Sequence, residues 1–383
     1  MGLNLKNSVF NDNAYHIDIN SSSYINNINT VSITNNSFSD AYSAISIVRC
    51  INATIRGNII NQSGSGISLT ECTGSLDIGH NRVNAWGAGI SLSSYTSDYY
   101  SKNVYNNIIS VNGYNNYYNS YTSEAVGISF NASNLNVIHN SIINYSNNSW
   151  SRALAFSGTD NVIKNNSIIS YSRDAYALTA THIDPEASNR NILENNNIYS
   201  RAVNLIRVSN TYYKTLEEFY AAHFPSTNTN NISIDPMFVN NSEDQITESL
   251  RIDNKGIYVE GFDLDFNGQT RDTNNPDIGA IEFTGNPAYT PMSGQYWVGD
   301  GPGYPFSTLQ QALDMLMIRG VDGPTLIKLD RLDGDFTEQL ELLTVPGTSS
   351  QNIVRFESSQ NHYIANRIIA TGTQEKPYLF KIG

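Results

Sequence analysis

The sequence predicts an all-β chain: a right-handed parallel β-helix solenoid, followed by the capped start of a second β-helix module. Three observations predict it. An asparagine with fixed apolar neighbours recurs at a spacing that starts near 22 residues. Short alternating apolar stretches recur at the same period. The composition then changes sharply after residue 211.

The repeat comes first. Asn36, Asn58, Asn81, Asn107, Asn140, Asn166 and Asn196 are separated by steps of 22, 23, 26, 33, 26 and 30. Three positions before them stand Ile33, Ile55, Ile78, Val104, Val137, Ile163 and Leu193, and two positions after them Phe38, Ile60, Val83, Ile109, Ile142, Ile168 and Ile198. A second series reads Ile45, Ile67, Ile90, Ile128, Leu154, Leu178 and Val203, within stretches such as AISI (44–47) and GISF (127–130). Alternation marks strands with one buried face. A period this short excludes helical solenoids, and the leucine-rich pattern is missing. About three short strands and three turns fit each coil. Parallel stacking about 4.8 Å apart sets like side chains on like, and a buried Asn amide can bond its neighbour in the stack. Seven coils are visible, with an earlier one through Ile17 and Ile19. Cys50 and Cys72 each follow their rung isoleucine by five, on adjacent coils. The spacing admits a disulfide, but stacked parallel strands orient thiols poorly for one, so a free packed pair is expected.

Composition narrows the function. Only 15% of the 383 residues are charged, while 52 are Asn, about one in seven. The net charge of −13 excludes nucleic acid as partner, because phosphate binding needs basic surface. No apolar run is long enough for a transmembrane span, and no signal peptide is visible. Residues 1–210 carry 12 acidic and 11 basic side chains; residues 211–383 carry 23 and 11. The acidic second region opens on a helix-like stretch, 215–223, and continues through SIDPMFV (233–239), DLDFNGQTRD (263–272) and PDIGAIEF (276–283).

Those four segments, in that order, resemble the closing segment of bacterial secreted and surface β-helix proteins of the pectin-lyase-like kind, a region known as a choice-of-anchor Q domain. DLDFNG departs from the shorter Asp-Gly step usual there. From Tyr296 the chain resembles the opening of further β-helix modules in large secreted bacterial proteins. Ser307 is the expected N-cap of a plugging helix whose apolar face is Leu309, Ala312, Leu313, Leu316 and Met317, with Gly320 at its end. Strand-like stretches follow at 325–330, 339–345, 352–358 and 367–372. The expected organisation is coils over 1–211, a closing segment over 212–290 and a truncated second module over 291–383. The resemblance implies a secreted or cell-surface bacterial protein, and mid-coil text over residues 1–10 with only a few strands of the second module after its helix leads to the expectation that the chain is part of a longer polypeptide.

Candidate sites are sparse. Aromatic residues beside variable coils suit sugar stacking: Trp86, Tyr99, Tyr100, Tyr117, Tyr118, Tyr145 and Tyr171. The same rings also read as loops and turns packing on themselves. His80, His139, Lys164 and Glu194 all precede ladder Asn residues, so they are expected near one strand surface, with Arg152, Arg173 and Arg201 along an edge. They are weak catalytic candidates, since a solenoid with few charges produces such a stripe by chance. Asp263, Asp265 and Asn267 occupy positions 1, 3 and 5 of a calcium-loop pattern with Gly268 at 6, yet Asn274 replaces the bidentate Glu. This admits Ca²⁺ and equally an Asx-rich turn; no other cofactor is implied. The leading expectation is a non-catalytic structural or adhesive module that grips an extracellular polysaccharide or cell-surface glycan. The alternative is a polysaccharide lyase or glycoside hydrolase working in a surface cleft.

Overall fold

The computed structural model describes residues 2–20, 28–93, 100–113, 124–146, 148–172, 175–181, 191–223, 229–236, 238, 247, 249–286, 290–301, 303–331, 335–342, 345–359, 366–370 and 379–382. It divides into two compact units. The first holds residues 1–234 and 252–283, and the second holds 235–238, 247–251 and 284–383.

The first unit is a parallel β-helix. One face stacks eight strands from Gly2–Lys6 through Ile192–Glu194, every neighbouring pair parallel. The second face runs from Val9–Asn11 to Asn197–Ser200, and the third from Tyr15–Asn20 to Ile206–Val208. Faces two and three form one 15-stranded sheet because Ile59–Thr70 and Arg82–Ser93 run unbroken across both. The apolar positions of the repeat are the rungs: Ile55 pairs with Ile78, Ile60 with Val83, and Ile67 with Ile90. Ile17 pairs with Ile45, which gives the earlier coil. One rung needs correcting. Leu178 pairs with Ile206, not Val203, which is 71% exposed. The step between coils is three residues longer at that point than the repeat suggested.

The asparagines form a continuous buried column. Each amide oxygen accepts the backbone N–H and the side-chain amide of the Asn one coil before it, at 2.8–3.1 Å, from Asn36 to Asn196 and on to Asn231. The residue before each ladder Asn turns the chain in the left-handed region: Asn35, Gly57, His80, Asn106, His139, Asn165 and Asn195 all have φ between 49° and 65°. Asn, Gly and His tolerate that region best. The Asn-Asn pairs at 35–36, 106–107, 165–166 and 195–196 are therefore a turn residue followed by a ladder residue. Both cysteines are free and buried, and Cys72 Sγ accepts the backbone N–H of Cys50 at 3.3 Å.

The coils end where Thr211–Tyr213 folds back antiparallel on Ile206–Val208. The helix Leu216–His223 then buries Leu216 and Phe219 in the same core, as a terminal plug. The segment 252–283 packs with the coils rather than apart from them.

The second unit has its own core, built on the helix Leu309–Arg319. Leu309, Ala312, Leu313 and Leu316 are buried, while Met315 rather than Met317 packs against them. Thr308, not Ser307, is the N-cap, in a capping box with Gln311. Its strands pair in parallel as Met292–Gly299, Val321–Asp330 and Val354–Ser358, and in two shorter pairs. Among the described residues, no helix is long and apolar enough to cross a membrane.

Candidate functional site

The outer surface of the third face carries a groove of about 570 Å³. Its floor is a row of small side chains in register, Ser91, Ser129, Ala155 and Thr179, which ends on Arg207. Four rung steps make it roughly 19 Å long at about 4.8 Å each. Turns supply the wall. Asn148 accepts the backbone N–H of Trp150 on Oδ1 (2.8 Å) and that of Ser151 on its carbonyl (2.9 Å), and this tight turn pushes the indole outward, 55% exposed. The Arg207 guanidinium lies over that indole at 5.2 Å and donates to the Ser209 carbonyl at 2.8 Å. Arg152, at the start of its strand, pairs with Glu124 at 2.8 Å. The groove thus offers one open aromatic face, two guanidinium groups, one carboxylate and a hydroxyl-rich floor. No known protein family, curated protein or solved structure matches the chain. The site's chemistry must therefore speak from its own residues.

Of the aromatic candidates, Trp86 lines a neighbouring hollow together with Tyr42. Tyr100 is 61% exposed and lines neither cavity. Tyr145 and Tyr171 stack on adjacent coils at 5.7 Å, and Arg201 covers the Tyr171 ring at 4.3 Å. That ring face is occupied, as turn packing would have it. Tyr99, Tyr117, Tyr118 and Arg173 lie outside the described residues.

The polar candidates do not share an open strand surface, and that expectation is corrected here. Segment 252–283 runs along the left-handed turn column and covers it. Ile257 exchanges two hydrogen bonds with the Asn165 amide, Asn106 Nδ2 donates to the Leu264 carbonyl, and Phe266 stacks on His80 at 6.5 Å. His139 is 1% exposed. Asn106 and Asn165 donate to Nε2 of His80 and His139, at 3.4 and 3.0 Å, if those nitrogens are unprotonated. Burial holds both imidazoles below their ordinary 6.5, His139 well below it, and the Arg271 guanidinium adds to this. That supports the neutral tautomer. Lys164 and Glu194 are instead an ion pair on adjacent rungs of the first face, 2.8 Å apart.

The closing motifs make a buried charge network. Arg271 donates to Glu282 (2.7 Å), to Asn106 Oδ1 (2.9 Å) and to the carbonyls of Gly279 and Ala280. Gly279 sits at φ +105°, where a Cβ would stand 2.8 Å from Ser141 Oγ, so the motif glycine is what lets the strap touch the coils. Asp265 is fully buried, and its oxygens accept the backbone N–H groups of Asn267, Gln269 and Glu282. Asp263 accepts the Tyr258 hydroxyl at 2.7 Å. Asp265 thus behaves as the Asx-turn reading requires. Among the described residues no group of three or more His, Cys, Asp or Glu side chains could hold a metal ion.

Sequence reading missed Trp150, Glu124, Arg207 and Tyr42. Tyr42, Glu124 and Trp150 stand in the connections between strands, and Arg207 breaks the row of small residues at its last rung.

Proposed function

We propose that this chain is a non-catalytic glycan-binding module of a secreted or cell-surface bacterial protein, with a structural and adhesive role. The observation that carries the reading is the third-face groove: an exposed indole braced by a guanidinium, beside Arg152 and Glu124, over a floor of hydroxyls. A pyranose has an apolar face that stacks on an aromatic ring and hydroxyls that bond to such a floor, and an extended chain of sugars matches a straight groove. The resemblance of the closing segment to those of bacterial surface β-helix proteins supports the location. The test is affinity electrophoresis against a panel of neutral and uronate-containing polysaccharides. Trp150→Ala should weaken binding about tenfold, the size of a lost aromatic contact, without moving the melting temperature. Retention of every polysaccharide by Trp150→Ala as by the parent overturns the reading.

The Glu124–Arg152 pair in the groove favours a second reading, a lyase in which a carboxylate and a guanidinium act on a uronate. A hydrolase would need a second carboxylate, and Glu124 is the only one among the described lining residues. Ultraviolet absorbance of an unsaturated sugar product, present in the parent and lost in Glu124→Gln, would establish the lyase over the binder.

A further inference from the structure

Beside the groove lies a second hollow of about 670 Å³, lined by Asp40, Tyr42, Gly64, Trp86, Gly87 and Glu124 among others. Its size is that of a small-molecule site. Glu124 belongs to both cavities.

Two glycines on adjacent coils, Gly64 and Gly87, line the hollow. A Cβ on Gly64 would stand 2.5 Å from the Tyr42 carbonyl oxygen, and one on Gly87 would stand 2.8 Å from that of Gly64. The missing side chains let these backbones stack closely. The walls come from a turn. Asp40 takes the left-handed conformation at φ 58°, with its N–H held by the Asn61 carbonyl at 3.2 Å. Two residues on, Tyr42 projects outward, 70% exposed, braced edge-on by Tyr15 at 5.7 Å. Trp86 supplies a second ring.

The described lining carries two carboxylates and no cationic side chain. The guanidinium groups of Arg152 and Arg207 line the neighbouring groove, where Arg152 pairs with Glu124 at 2.8 Å, so Asp40 is the hollow's main negative charge. Aromatic faces with carboxylates beside them attract a cation: the ring quadrupole and the carboxylate charge act in the same sense. The groove and the hollow thus differ in charge and meet at Glu124. A wholly acidic sugar chain would be repelled on the hollow's side.

We propose that the hollow seats a protonated amino sugar, so that the glycan held by this face carries free amines. This rests on the reading of the groove as a glycan site. Asp40 would hold the ammonium, and the Trp86 and Tyr42 rings the sugar's apolar face.

Oligomers of glucosamine and of N-acetylglucosamine of equal length share one skeleton and differ in the amine charge. Titration calorimetry on the full chain should show the glucosamine oligomer bound about tenfold more tightly, the sum of exposed ion-pair and cation–π contributions. Raising the pH through the titration of the sugar amine should remove the preference. Asp40→Asn keeps a residue that tolerates the left-handed turn; it should lose most of the preference, whereas Trp150→Ala should weaken both oligomers alike. Equal affinity for the two oligomers, or a preference that Asp40→Asn leaves intact, overturns the proposal. So does binding of neither oligomer. If a polysaccharide is still retained through Trp150 in any of those cases, the glycan reading of the groove stands without it.

Discussion

Removing one amide from the middle of the asparagine column tests the fold at its most regular point. Asn107 is fully buried. Its oxygen accepts the backbone N–H and the side-chain amide of Asn81, both at 3.0 Å, and its amide donates to the Ile78 carbonyl (3.0 Å) and to Asn140 Oδ1 (2.9 Å). In Asn107→Ala its own backbone N–H keeps Asn140, but both donors of Asn81 aimed at Oδ1 are stranded in the core. Each stranded buried donor costs about 1–3 kcal/mol, so the loss should be about 2–6 kcal/mol. That is a large share of the 5–15 kcal/mol typical of a domain. Asn107→Asp keeps the shape and the acceptors but cannot donate, and it faces Asn140 Oδ1 with a charge; it should be at least as damaging. Asn84, whose oxygen takes one exposed bond from Asn112, provides the control, with a change within about 0.5 kcal/mol on Asn84→Ala. Urea midpoints followed by far-ultraviolet circular dichroism give the comparison. If Asn107→Ala and Asn84→Ala unfold at the same midpoint, the column does not hold the coils together.

Two further predictions concern the strap over the turn column. Arg271→Ala leaves Glu282 and three oxygens without their buried donor; by analogy with broken buried ion pairs it should cost about 3–5 kcal/mol, and limited proteolysis should then cut within 252–283 before the coils are attacked. A parent-like digestion pattern would count against the network. Asp277 is buried, and burial pushes its carboxyl up from 3.8 to about 7, with Glu282 and Asp253 adding to this against the N–H bonds from Phe283 and Asn254. The folded carboxyl binds its proton more tightly than the unfolded one, so its contribution is complete below about pH 4 and is lost as pH rises through 7. His139 runs the other way: its contribution is present above 6.5 and is lost as pH falls below that value. Between about pH 4 and 6.5 the two effects oppose each other, and above 6.5 only the loss at Asp277 remains, so the parent's melting temperature should drop towards pH 8; Asp277→Asn should remove that drop and steepen the rise from pH 4 to 6.5. Parallel profiles for the two proteins would refute the assignment.

Much of the fold was legible because a solenoid repeats its physics. Every coil must bury a rung on each face and close a turn, so Ile, Asn and the alternating stretches recur and can be counted. The two failures there are informative. Val203 was read as a rung because the coil spacing was extrapolated, whereas the final coil is longer and Ile206 takes the place in register with Leu178. His80 and His139 were read as surface groups because they precede ladder residues. The missing information was long-range: a segment 186 residues beyond His80 and about 140 beyond His139 lies over them, and no local pattern says so. Once the backbone is known, their φ values of 55° and 53° explain why histidine occurs in a column otherwise held by Asn and Gly.

The groove was illegible for the opposite reason. A strictly periodic cylinder has a featureless outside, so any recognition site on it has to come from departures from the period. Trp150 and Glu124 stand in turns whose lengths differ from coil to coil, and Arg207 replaces the small residue of its row only at the last rung. Glu124 and Trp150 are 26 apart, the same step as from Val126 to Arg152, so they stand at equivalent places on adjacent coils, while Arg207 lies 57 residues beyond Trp150 and closes the row two rungs after Ala155. They converge because the rungs bring successive coils into register, and they stand out because their residue types break the pattern. The regular residues thus report what holds the coils, and the irregular ones what the coils could hold. The stability variants belong to the first set and the binding variants to the second. Asn107→Ala should therefore weaken binding only where it also unfolds the coils, while Trp150→Ala and Asp40→Asn should change binding in a protein that melts like the parent.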